Sequence, residues 1–448
     1  MSPRLAGAFL LLLAGIARGQ AGFTPLTDMG GQTYLGFPGG LYQNGTNAPP
    51  ADHASAGAAR AAMVVPLDAS GNAAASGKIV LLSIGMSNTT QEFCSSGGLT
   101  PCASWSFVGQ AAADASVNHA TLVLVNGARS GQTAATWDFP SDSNYDRVRD
   151  TDLANAGATE RQVQVAWVKV ANPGPAVSLP SASADAYTLE TQMGNIVRAL
   201  KTRYVNLQLV YFSSRIYAGY ATSTLNPEPY AYESGLAVKW LVQAQIDQMR
   251  NGGTIVDARA GNLNIAIGAP WIAWGPYLWA NGAMPRSDGL TWLAADLQSD
   301  GTHPSQSGQA KVGAQLLSFF KTAPTARGWF LAGCAADAAT LCLSGDRFRV
   351  TSTFATPQGQ QGVGQAVRLT VDTGYFTFFD PANVELVAKV LNACALNQKI
   401  WVFAGGLTNV QVTMTVTDTS NGAVKTYTNP LGTPFLPILD TGAFAMCP

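Results

Sequence analysis

Short apolar runs alternate with amphipathic segments of helical period over residues 78–321, and this alternation constrains the fold more than any other feature. The runs have the length and continuous apolar character of strands buried on both faces. Strands that alternate with helices predict a parallel sheet with helices on both faces, an α/β fold. The predicted strands are Lys78–Ile84, Ala120–Asn126, Val163–Val170, Asn206–Phe212 and Leu263–Ala269. The predicted helices are Thr188–Tyr204, Ala231–Asn251 and Ser305–Lys321.

The pattern changes after residue 321, where strand-like segments follow one another without helices. Residues 322–333 begin with Thr-Ala-Pro-Thr-Ala-Arg-Gly and are predicted to be a linker. The dipeptide Asn421-Gly422, between two alternating runs, is typical of a type I′ hairpin turn. We therefore predict a small all-β sandwich over residues 334–448. Its strands are expected at Asp346–Ala355, Ala366–Phe379, Val384–Leu391, Lys399–Phe403, Val410–Thr419 and Ala423–Asn429.

The first residues have the pattern of a secretory signal peptide. Arg4 supplies a positive charge, Leu5–Ile16 is an apolar stretch too short to cross a bilayer, and small residues follow. Residues 1–21 are therefore predicted to be a signal peptide, and we expect a secreted or periplasmic protein without a membrane span. Residues 22–77, rich in Gly, Ala and Pro, are expected to form an irregular arm packed on the main domain.

Six cysteines agree with an oxidising compartment, in which disulfide bonds persist. They allow fifteen pairings, and pairing of nearest neighbours is the economical hypothesis because it needs no link between domains. None of their spacings suits a zinc site, and the sequence contains only three histidines. We predict structural disulfides and no metal. The cysteines are Cys94, Cys102, Cys334, Cys342, Cys394 and Cys447.

The charge balance limits the kind of partner. Only 12% of the residues are Asp, Glu, Lys or Arg, and 26 basic against 27 acidic residues give a formal net charge of −1. A protein that binds nucleic acid electrostatically needs a basic face to displace counterions. The sequence therefore argues against a nucleic-acid partner, and no run of like charges indicates a polybasic patch for a membrane surface.

Polar side chains follow the predicted strands at the positions where ligands bind to parallel sheets, just beyond the carboxyl end of each strand. A fourth polar segment lies immediately before the last predicted helix. We expect these loops to meet at one edge of the sheet. The segments are Gly85-Met86-Ser87-Asn88, Asn126-Gly127-Ala128-Arg129-Ser130-Gly131, Ala171-Asn172-Pro173-Gly174 and Asp300-Gly301-Thr302-His303-Pro304.

Together these segments contain the residue types that a hydrolase needs. A serine hydroxyl is a poor nucleophile until a nearby base takes its proton, and His303 is the candidate base for Ser87. Asp300, three residues earlier, can accept the imidazole Nδ1–H and stabilise the imidazolium. The backbone N–H groups of Ser87 and Gly131 and the side-chain amide of Asn172 are candidate donors to a developing oxyanion.

The order of these blocks resembles that of the SGNH (GDSL-like) hydrolase superfamily, over about residues 78–321. The resemblance implies a flavodoxin-like three-layer α/β/α fold without metal or organic cofactor. It also implies a catalytic triad of Ser87, Asp300 and His303, with Gly131 and Asn172 completing the oxyanion hole. The first block reads Gly-Met-Ser-Asn, which is similar to the Gly-Gln-Ser-Asn of sialate O-acetylesterase-like and other carbohydrate-esterase members.

Other residues near the predicted strand ends are candidates for substrate binding. Arg129 is placed to meet a substrate carboxylate or phosphate, or else is structural. The aromatic residues after the fifth predicted strand indicate either a sugar-stacking platform or a packed loop core. Lys169 is expected to be a paired buried charge, and His53 and His119 are expected to be surface or loop histidines. The substrate-binding candidates are Asn88, Arg129, Arg215, Tyr217 and Trp274, and the aromatic cluster is Trp271, Trp274, Tyr277, Trp279 and Trp292.

These features predict a secreted serine esterase that hydrolyses ester groups, with O-acetyl groups on a carbohydrate as the expected substrate. Two alternatives remain open at this point. One is a carbohydrate O-acetyltransferase with the same triad, and the other is a non-catalytic glycan-binding or surface protein. The partner is expected to be a small-molecule or polysaccharide ester. For the sandwich, we expect either carbohydrate or surface binding or a purely structural role.

Overall fold

The structure is a computed structural model that describes residues 23–94, 101–420 and 422–445. Its first part is built on five parallel strands, β1 (Ile79–Gly85), β2 (Leu122–Asn126), β3 (Val163–Lys169), β4 (Leu209–Phe212) and β5 (Trp271–Trp274). Their spatial order is β2-β1-β3-β4-β5, the flavodoxin-like order, and β1 and β3 are direct neighbours. Every residue of β1, β3, β4 and β5 is buried, as expected of strands covered on both faces.

Helices form two groups around this sheet, which gives the α/β architecture predicted from the sequence. In one group α5 packs on α6, and in the other α7 packs on α2, α3 and α8. The three predicted helices are confirmed as α5, α6 and α7, with ends that differ by at most three residues. The helices are α1 (Ala51–Ala61), α2 (Ser87–Phe93), α3 (Phe107–Ala113), α4 (Ser143–Arg147), α5 (Asp185–Arg203), α6 (Tyr230–Arg250), α7 (Gln306–Thr322) and α8 (Arg327–Phe330).

The fifth strand was predicted at the wrong place. Leu263–Ala269 contains a 3₁₀ turn at Ile265–Ile267, and the strand that pairs with β4 is Trp271–Trp274 instead. The side-chain oxygen of Asn264 accepts a hydrogen bond from the N–H of Ala266, which stabilises the turn. Such a local side-chain bond competes with strand formation, and apolar content alone does not reveal it.

Residues 22–77 are less irregular than predicted, because Ala51–Ala61 forms helix α1. This segment contains six alanines, the residue with the highest helix propensity. The prediction for His53 was wrong for the same reason: His53 lies on α1, is fully buried and stacks on the ring of Trp271 with 4.9 Å between centroids. Helix α1 thereby packs on β5, an edge strand of the sheet. His119, by contrast, is exposed as predicted.

Residues 322–333 do not form a free linker. Helix α7 ends at Thr322, and the short helix α8 follows at Arg327–Phe330. Trp329 and Phe330 are buried in the core of the α/β part, where both rings contact Phe320. The chain therefore leaves the α/β part only after these two aromatic side chains are anchored.

The C-terminal part consists of two antiparallel sheets of five strands each. The predicted strand Ala366–Phe379 is a hairpin of two strands, β9 and β10, and strands β6, β8 and β15 were not predicted. The strands are β6 (Thr340–Leu343), β7 (Phe348–Ala355), β8 (Gln361–Val363), β9 (Gln365–Arg368), β10 (Thr373–Thr377), β11 (Leu386–Ala393), β12 (Lys399–Gly406), β13 (Gln411–Asp418), β14 (Val424–Asn429) and β15 (Ile438–Phe444).

One sheet has the order β8-β7-β13-β14, with β6 also paired to β7, and the other has the order β9-β10-β11-β12-β15. Apolar side chains of both sheets form one buried cluster, which includes Val350 and Met414 from the first sheet and Val390 and Val402 from the second. Alternating burial along β7 and β13 shows why the period-two pattern predicted these strands. Strands β13 and β14 form the predicted hairpin pair, although Asn421 itself lies outside the described residues.

Two of the three expected disulfide bonds are present in the described part of the chain. They join Cys94 to Cys102 and Cys334 to Cys342. Cys447, the expected partner of Cys394, lies outside the described residues, as does the predicted signal peptide at residues 1–21. Among the described helices, none has the length and apolar character needed to cross a membrane.

Candidate active site

The loops after β1, β2 and β3 and the loop before α7 meet at the carboxyl edge of the parallel sheet, around a cavity of about 360 Å³. This edge, next to the neighbouring strands β1 and β3, is where ligands bind in folds of this strand order. Ser87, Gly131, Asn172 and His303 all line the cavity. The structure therefore brings together four segments that are up to 216 residues apart in the sequence.

Ser87, His303 and Asp300 form a continuous chain of hydrogen-bonding groups. The Oγ atom of Ser87 lies 2.8 Å from Nε2 of His303, and Nδ1 of His303 lies 2.5 Å from Oδ2 of Asp300. The other carboxylate oxygen of Asp300 accepts the backbone N–H groups of Thr302 and His303, at 2.9 and 3.0 Å. These bonds fix the position of the carboxylate that orients the imidazole.

The environment of Asp300 favours its charged form. Partial burial acts to raise the pKa of this carboxyl group, but hydrogen bonds from the ring and backbone of His303 and from Thr302 outweigh burial and hold the pKa below its usual value. A carboxylate that stays ionised at neutral pH is what an orienting partner of a histidine base requires.

Two glycines make the turns of the site sterically feasible. At Gly85, the last residue of β1, a Cβ atom would lie 2.1 Å from the carbonyl oxygen of Lys169 on the neighbouring strand. At Gly301, where φ is +65°, a Cβ atom would lie 1.9 Å from the carbonyl oxygen of Tyr220. Only glycine fits such positions, so the chain turns sharply both into Ser87 and into His303.

Ser87 is the first residue of α2, and its backbone N–H therefore has no acceptor within the helix. Gly131 and Asn172 line the same cavity. The side-chain nitrogen of Asn172 donates one hydrogen bond to the carbonyl of Asp185 at 3.0 Å, which fixes the amide and leaves its second N–H for another acceptor. The arrangement thus offers donors of the kind that stabilise an oxyanion.

Asn88 connects the serine turn to the histidine loop. Its buried Nδ2 donates to the carbonyl of Thr302 at 3.0 Å, directly before His303. Because the bond joins residues 214 positions apart, it fixes the relative position of the two loops that carry Ser87 and His303.

A fully buried ion pair lies close to these loops, and it confirms that Lys169 is a paired charge. Nζ of Lys169 lies 2.5 Å from Oε1 of Glu92 on α2, and both side chains are inaccessible to water. Burial lowers the pKa of Lys169 to about 8, against the opposing effect of Glu92. Burial likewise raises the pKa of Glu92, and the charge of Lys169 opposes that shift.

The candidate substrate-binding residues divide into two groups. Asn88 and Arg215 line the cavity, whereas Arg129, Tyr217 and Trp274 are not among its lining residues. Arg129 forms an ion pair with Asp152 at 2.5 Å, which agrees with its structural interpretation. Tyr217 is buried against the ring of Trp279, and Trp274 lies on β5 and donates its indole N–H to the carbonyl of Leu41.

The aromatic cluster forms a packed core and not an exposed platform. All five side chains are at least 95% buried. Their polar atoms form hydrogen bonds within the protein, or their rings pack against other rings. Trp271, for example, donates its indole N–H to the carbonyl of His53, and Trp292 donates to the carbonyl of Leu278. Of the two alternatives for Trp271, Trp274, Tyr277, Trp279 and Trp292, the packed loop core agrees with the structure and the sugar-stacking platform does not.

Several cavity residues were not singled out from the sequence. Leu225 and Asn226 reach the cavity from the loop between β4 and α6, and Met86 and Thr133 flank Ser87 and Gly131. Asn226 has a positive φ of +60°, which is uncommon for a residue other than glycine. Both residues lie more than ten positions after the end of β4, in a part of the loop that no sequence pattern marks. Within the described ranges, no group of three or more His, Cys, Asp or Glu residues is arranged to hold a metal ion.

No family model matches the sequence, and no curated protein matches it. Among solved structures, an extracellular lipase from Streptomyces rimosus is 15% identical, with a TM-score of 0.29 over 54% of this chain and 99% of the lipase. A protein from Parabacteroides merdae described as a GDSL-like lipase is 12% identical, with a TM-score of 0.28 over 54% of this chain and 96% of that chain.

A carbohydrate esterase of family 2 with a carbohydrate-binding domain, from Corynascus thermopiles (Myceliophthora fergusii), is 12% identical. Its TM-score is 0.26 over 55% of this chain and 66% of that chain. These likenesses concern the fold alone. Over about half of its length, the chain is similar in structure to a lipase, a protein described as a GDSL-like lipase and a carbohydrate esterase.

Proposed function

We propose that this protein is a serine ester hydrolase in which Ser87 is the nucleophile, His303 the general base and Asp300 the residue that orients His303. The observation that carries this proposal is the chain of contacts from Ser87 Oγ to His303 Nε2 and from His303 Nδ1 to Asp300, at 2.8 and 2.5 Å, in the wall of a cavity. A nucleophile within reach of a base that a third group orients is the general arrangement for acyl transfer to serine.

The reaction proceeds in two halves. Ser87 Oγ attacks the carbonyl carbon of the ester while His303 Nε2 takes the hydroxyl proton. The bond between the carbonyl carbon and the alcohol oxygen then breaks, and His303 returns the proton to the leaving oxygen, which leaves an acyl group on Ser87. In the second half His303 deprotonates a water molecule, which attacks the acyl carbon. The bond between the acyl carbon and Ser87 Oγ then breaks, His303 returns the proton to Ser87 Oγ, and the acid is released.

Negative charge develops on the carbonyl oxygen in both halves. The proposed donors to this oxygen are the backbone N–H groups of Ser87 and Gly131 and the free side-chain N–H of Asn172. Fixed donors of this kind contribute about 3 kcal/mol each to the transition state, because they need no reorganisation when the charge forms.

The proposed substrate is an ester of a short acyl group, with an O-acetyl group on a carbohydrate as the preferred case. The cavity of about 360 Å³ is of the size that binds a small molecule. The carbohydrate part of this proposal comes from the Gly-Met-Ser-Asn block, which resembles that of carbohydrate esterases. We also propose an extracytoplasmic location, since the two disulfide bonds suit an oxidising compartment.

The direct test compares wild type with Ser87→Ala in the hydrolysis of p-nitrophenyl acetate, with free acetate measured in the absence of an alcohol acceptor. We expect Ser87→Ala to lower kcat/KM by about 10⁴-fold, since the nucleophile is lost. Ser70→Ala, at an exposed serine, is the matched control and should retain the full rate. Equal rates for wild type and Ser87→Ala would refute the proposal.

A second experiment identifies the substrate class. Acetylated polysaccharides and short acetylated alcohols are incubated with wild type and Ser87→Ala, and released acetate is measured. Acetate released from polysaccharides by wild type alone supports a carbohydrate esterase. Release from the short alcohols only would refute the carbohydrate part of the proposal while leaving the esterase mechanism in place.

A further inference from the structure

Arg215 is a buried charge in the wall of the proposed active-site cavity. It follows β4 at the carboxyl edge of the sheet, and only 2% of its surface is exposed to water. It lines the same cavity as Ser87 and His303. Its backbone N–H donates to Ser234 Oγ at 3.1 Å, which fixes the start of the side chain relative to α6.

The guanidinium of Arg215 lacks the partners that such a group ordinarily has. Its Nε and Nη2 atoms are buried and form no hydrogen bond within the described chain. Its Nη1 atom faces Sδ of Met86 at 4.0 Å, and a thioether is only a weak acceptor. An arginine carries five N–H donors, so most of the hydrogen-bonding capacity of the Arg215 guanidinium is unused.

The carboxylates near Arg215 are already engaged with other groups. Arg215 is within electrostatic range of Glu92, Glu228 and Asp300. Glu92 is paired with Lys169, and Asp300 with His303. Glu228 accepts hydrogen bonds from the indole N–H of Trp279 and from the backbone N–H groups of residues 218 and 232. Acidic groups therefore lie nearby, but none in the described part of the chain forms a hydrogen bond with Nε or Nη2 of the guanidinium.

Nε and Nη2 lie on the same edge of the guanidinium, where their N–H bonds point in parallel directions. A carboxylate accepts both bonds at once with its two oxygens, and this paired geometry is among the strongest in proteins. A buried charge without such a partner costs folding free energy. The cavity next to Ser87 is thus the place where a ligand carboxylate would satisfy this group.

We propose that Arg215 binds a carboxylate carried by the substrate, so that the preferred ester is that of an anionic molecule. This inference rests on the proposed function, because it names the substrate class of the same cavity. Bidentate pairing with Arg215 places the carboxylate at a fixed position relative to Ser87, and the ester carbonyl must then lie within reach of Ser87 Oγ.

Two further features fit an anionic polar substrate. Asn226 lines the same cavity as the arginine, and its buried Oδ1 atom is without a hydrogen-bond partner among the described residues, so it is an acceptor for a substrate N–H or O–H. Met86, the neighbour of the guanidinium, has an unbranched side chain with rotatable bonds that moves aside at little cost.

The first test uses a pair of esters of the same shape, 4-acetoxybenzoate and 4-acetoxybenzamide, at pH 7.5. For wild type we expect kcat/KM to be about tenfold or more higher for the anionic ester, and for Arg215→Met we expect this ratio to fall to about one. Arg129→Met, which removes a guanidinium paired with Asp152 outside the cavity, should keep the wild-type ratio. A ratio near one for wild type, or an unchanged ratio in Arg215→Met, would overturn the inference.

The second test requires no catalysis. Thermal unfolding of Ser87→Ala is measured with 4-hydroxybenzoate and with 4-hydroxybenzamide, and only the benzoate should raise Tm. The rise should disappear in the Ser87→Ala/Arg215→Met double variant. Arg215→Met alone should have a Tm equal to or above that of wild type, because it removes an unpaired buried charge. A clearly lower Tm together with no effect of benzoate would show that Arg215 is structural.

The two tests separate the two proposals. Stabilisation by benzoate without any ester hydrolysis would refute the esterase function and leave the carboxylate site in place. Hydrolysis of both esters at equal rates, without stabilisation by benzoate, would refute the carboxylate site and leave the esterase function in place.

Discussion

The α/β part and the β-sandwich differ in how many buried polar atoms lack a hydrogen-bond partner. Among the described residues, fifteen buried side-chain nitrogen and oxygen atoms lack a hydrogen-bond partner, and only one of them, Oγ of Ser352, belongs to the sandwich. Five of the other fourteen belong to four residues that line the proposed active-site cavity: Asn88, Asn172, Arg215 and Asn226. Since buried polar groups are normally satisfied, the unused hydrogen-bonding capacity of these four residues supports the proposal that the cavity binds a ligand.

The buried charges show the same contrast. In the α/β part, Glu92 and Lys169 are both inaccessible to water and lie close to the proposed catalytic loops. In the sandwich, Asp418 is fully buried, but its partner Arg347 is about one-fifth exposed. The core of the sandwich consists of apolar side chains from both sheets, and the ion pair lies at its border with one partner partly in contact with water.

The largest expected effect comes from exchanging one carboxylate for an amide in each part. Asp300→Asn should lower kcat/KM for p-nitrophenyl acetate by about 10³- to 10⁴-fold with little change in Tm, because the imidazole loses its orienting charge. Asp418→Asn should leave the rate unchanged but lower Tm, because Arg347 loses its charged partner. Steady-state kinetics and thermal unfolding check both variants. A rate loss in Asp418→Asn, or none in Asp300→Asn, would break the contrast between the parts.

A smaller effect separates the two ion pairs by stability. Lys169→Met should lower the free energy of unfolding by about 3–5 kcal/mol, since it leaves Glu92 buried without a partner. Arg347→Met removes a partly exposed partner and should cost less, about 1–3 kcal/mol. Urea unfolding followed by tryptophan fluorescence measures both values. Equal losses of unfolding free energy would mean that the stronger burial of Lys169, compared with Arg347, has no effect on stability.

The smallest effect concerns pH. Burial, with Asp257 adding to it, raises the pKa of Glu190 on α5 to about 8. Because this folded-state pKa lies above the value of about 4.3 for an unfolded glutamate, folding favours the protonated form, and stability falls as the pH rises from about 4 to 8. Glu190→Gln should therefore raise Tm by a few degrees at pH 8 and by much less at pH 5. A Tm difference that does not change with pH would contradict this assignment.

Asp418 in the sandwich should show the opposite dependence. Burial acts to raise its pKa, but hydrogen bonds from Arg347 and Ser420 outweigh burial and lower it. Its stabilising contribution is present above the unfolded pKa and is lost as the pH falls through the folded value. The Tm difference between wild type and Asp418→Asn should thus shrink toward acid pH, which differential scanning calorimetry can measure from pH 7 to pH 3.

Local patterns in the sequence were sufficient to predict most of the strands and helices. Four of the five parallel strands and helices α5, α6 and α7 follow from apolar runs and helical periodicity, because each pattern reflects the burial of a single element. Period-two alternation likewise predicted most strands of the sandwich. The polar residues after β1 and β3 were found because the carboxyl ends of parallel strands share one edge.

Other features depended on contacts between distant elements. Leu263–Ala269 has the composition of a strand, yet the turn capped by Asn264 displaces β5 to Trp271–Trp274. The aromatic side chains near β5 belong to the core because α1 and neighbouring loops cover them. A local sequence pattern does not show which side of a loop faces the protein interior.

The sequence by itself determined the α/β and all-β parts and the set of polar residues after the strands, since periodicity and strand order are properties of the chain. Only the tertiary structure decided which arginine faces the cavity. Arg129 and Arg215 both follow strands, but Asp152 pairs with the first, while no carboxylate of the described residues bonds to Nε or Nη2 of the second. The reason is physical: a side chain's environment is set by residues far away in the sequence, and charge and burial there decide whether it supports the fold or meets a ligand.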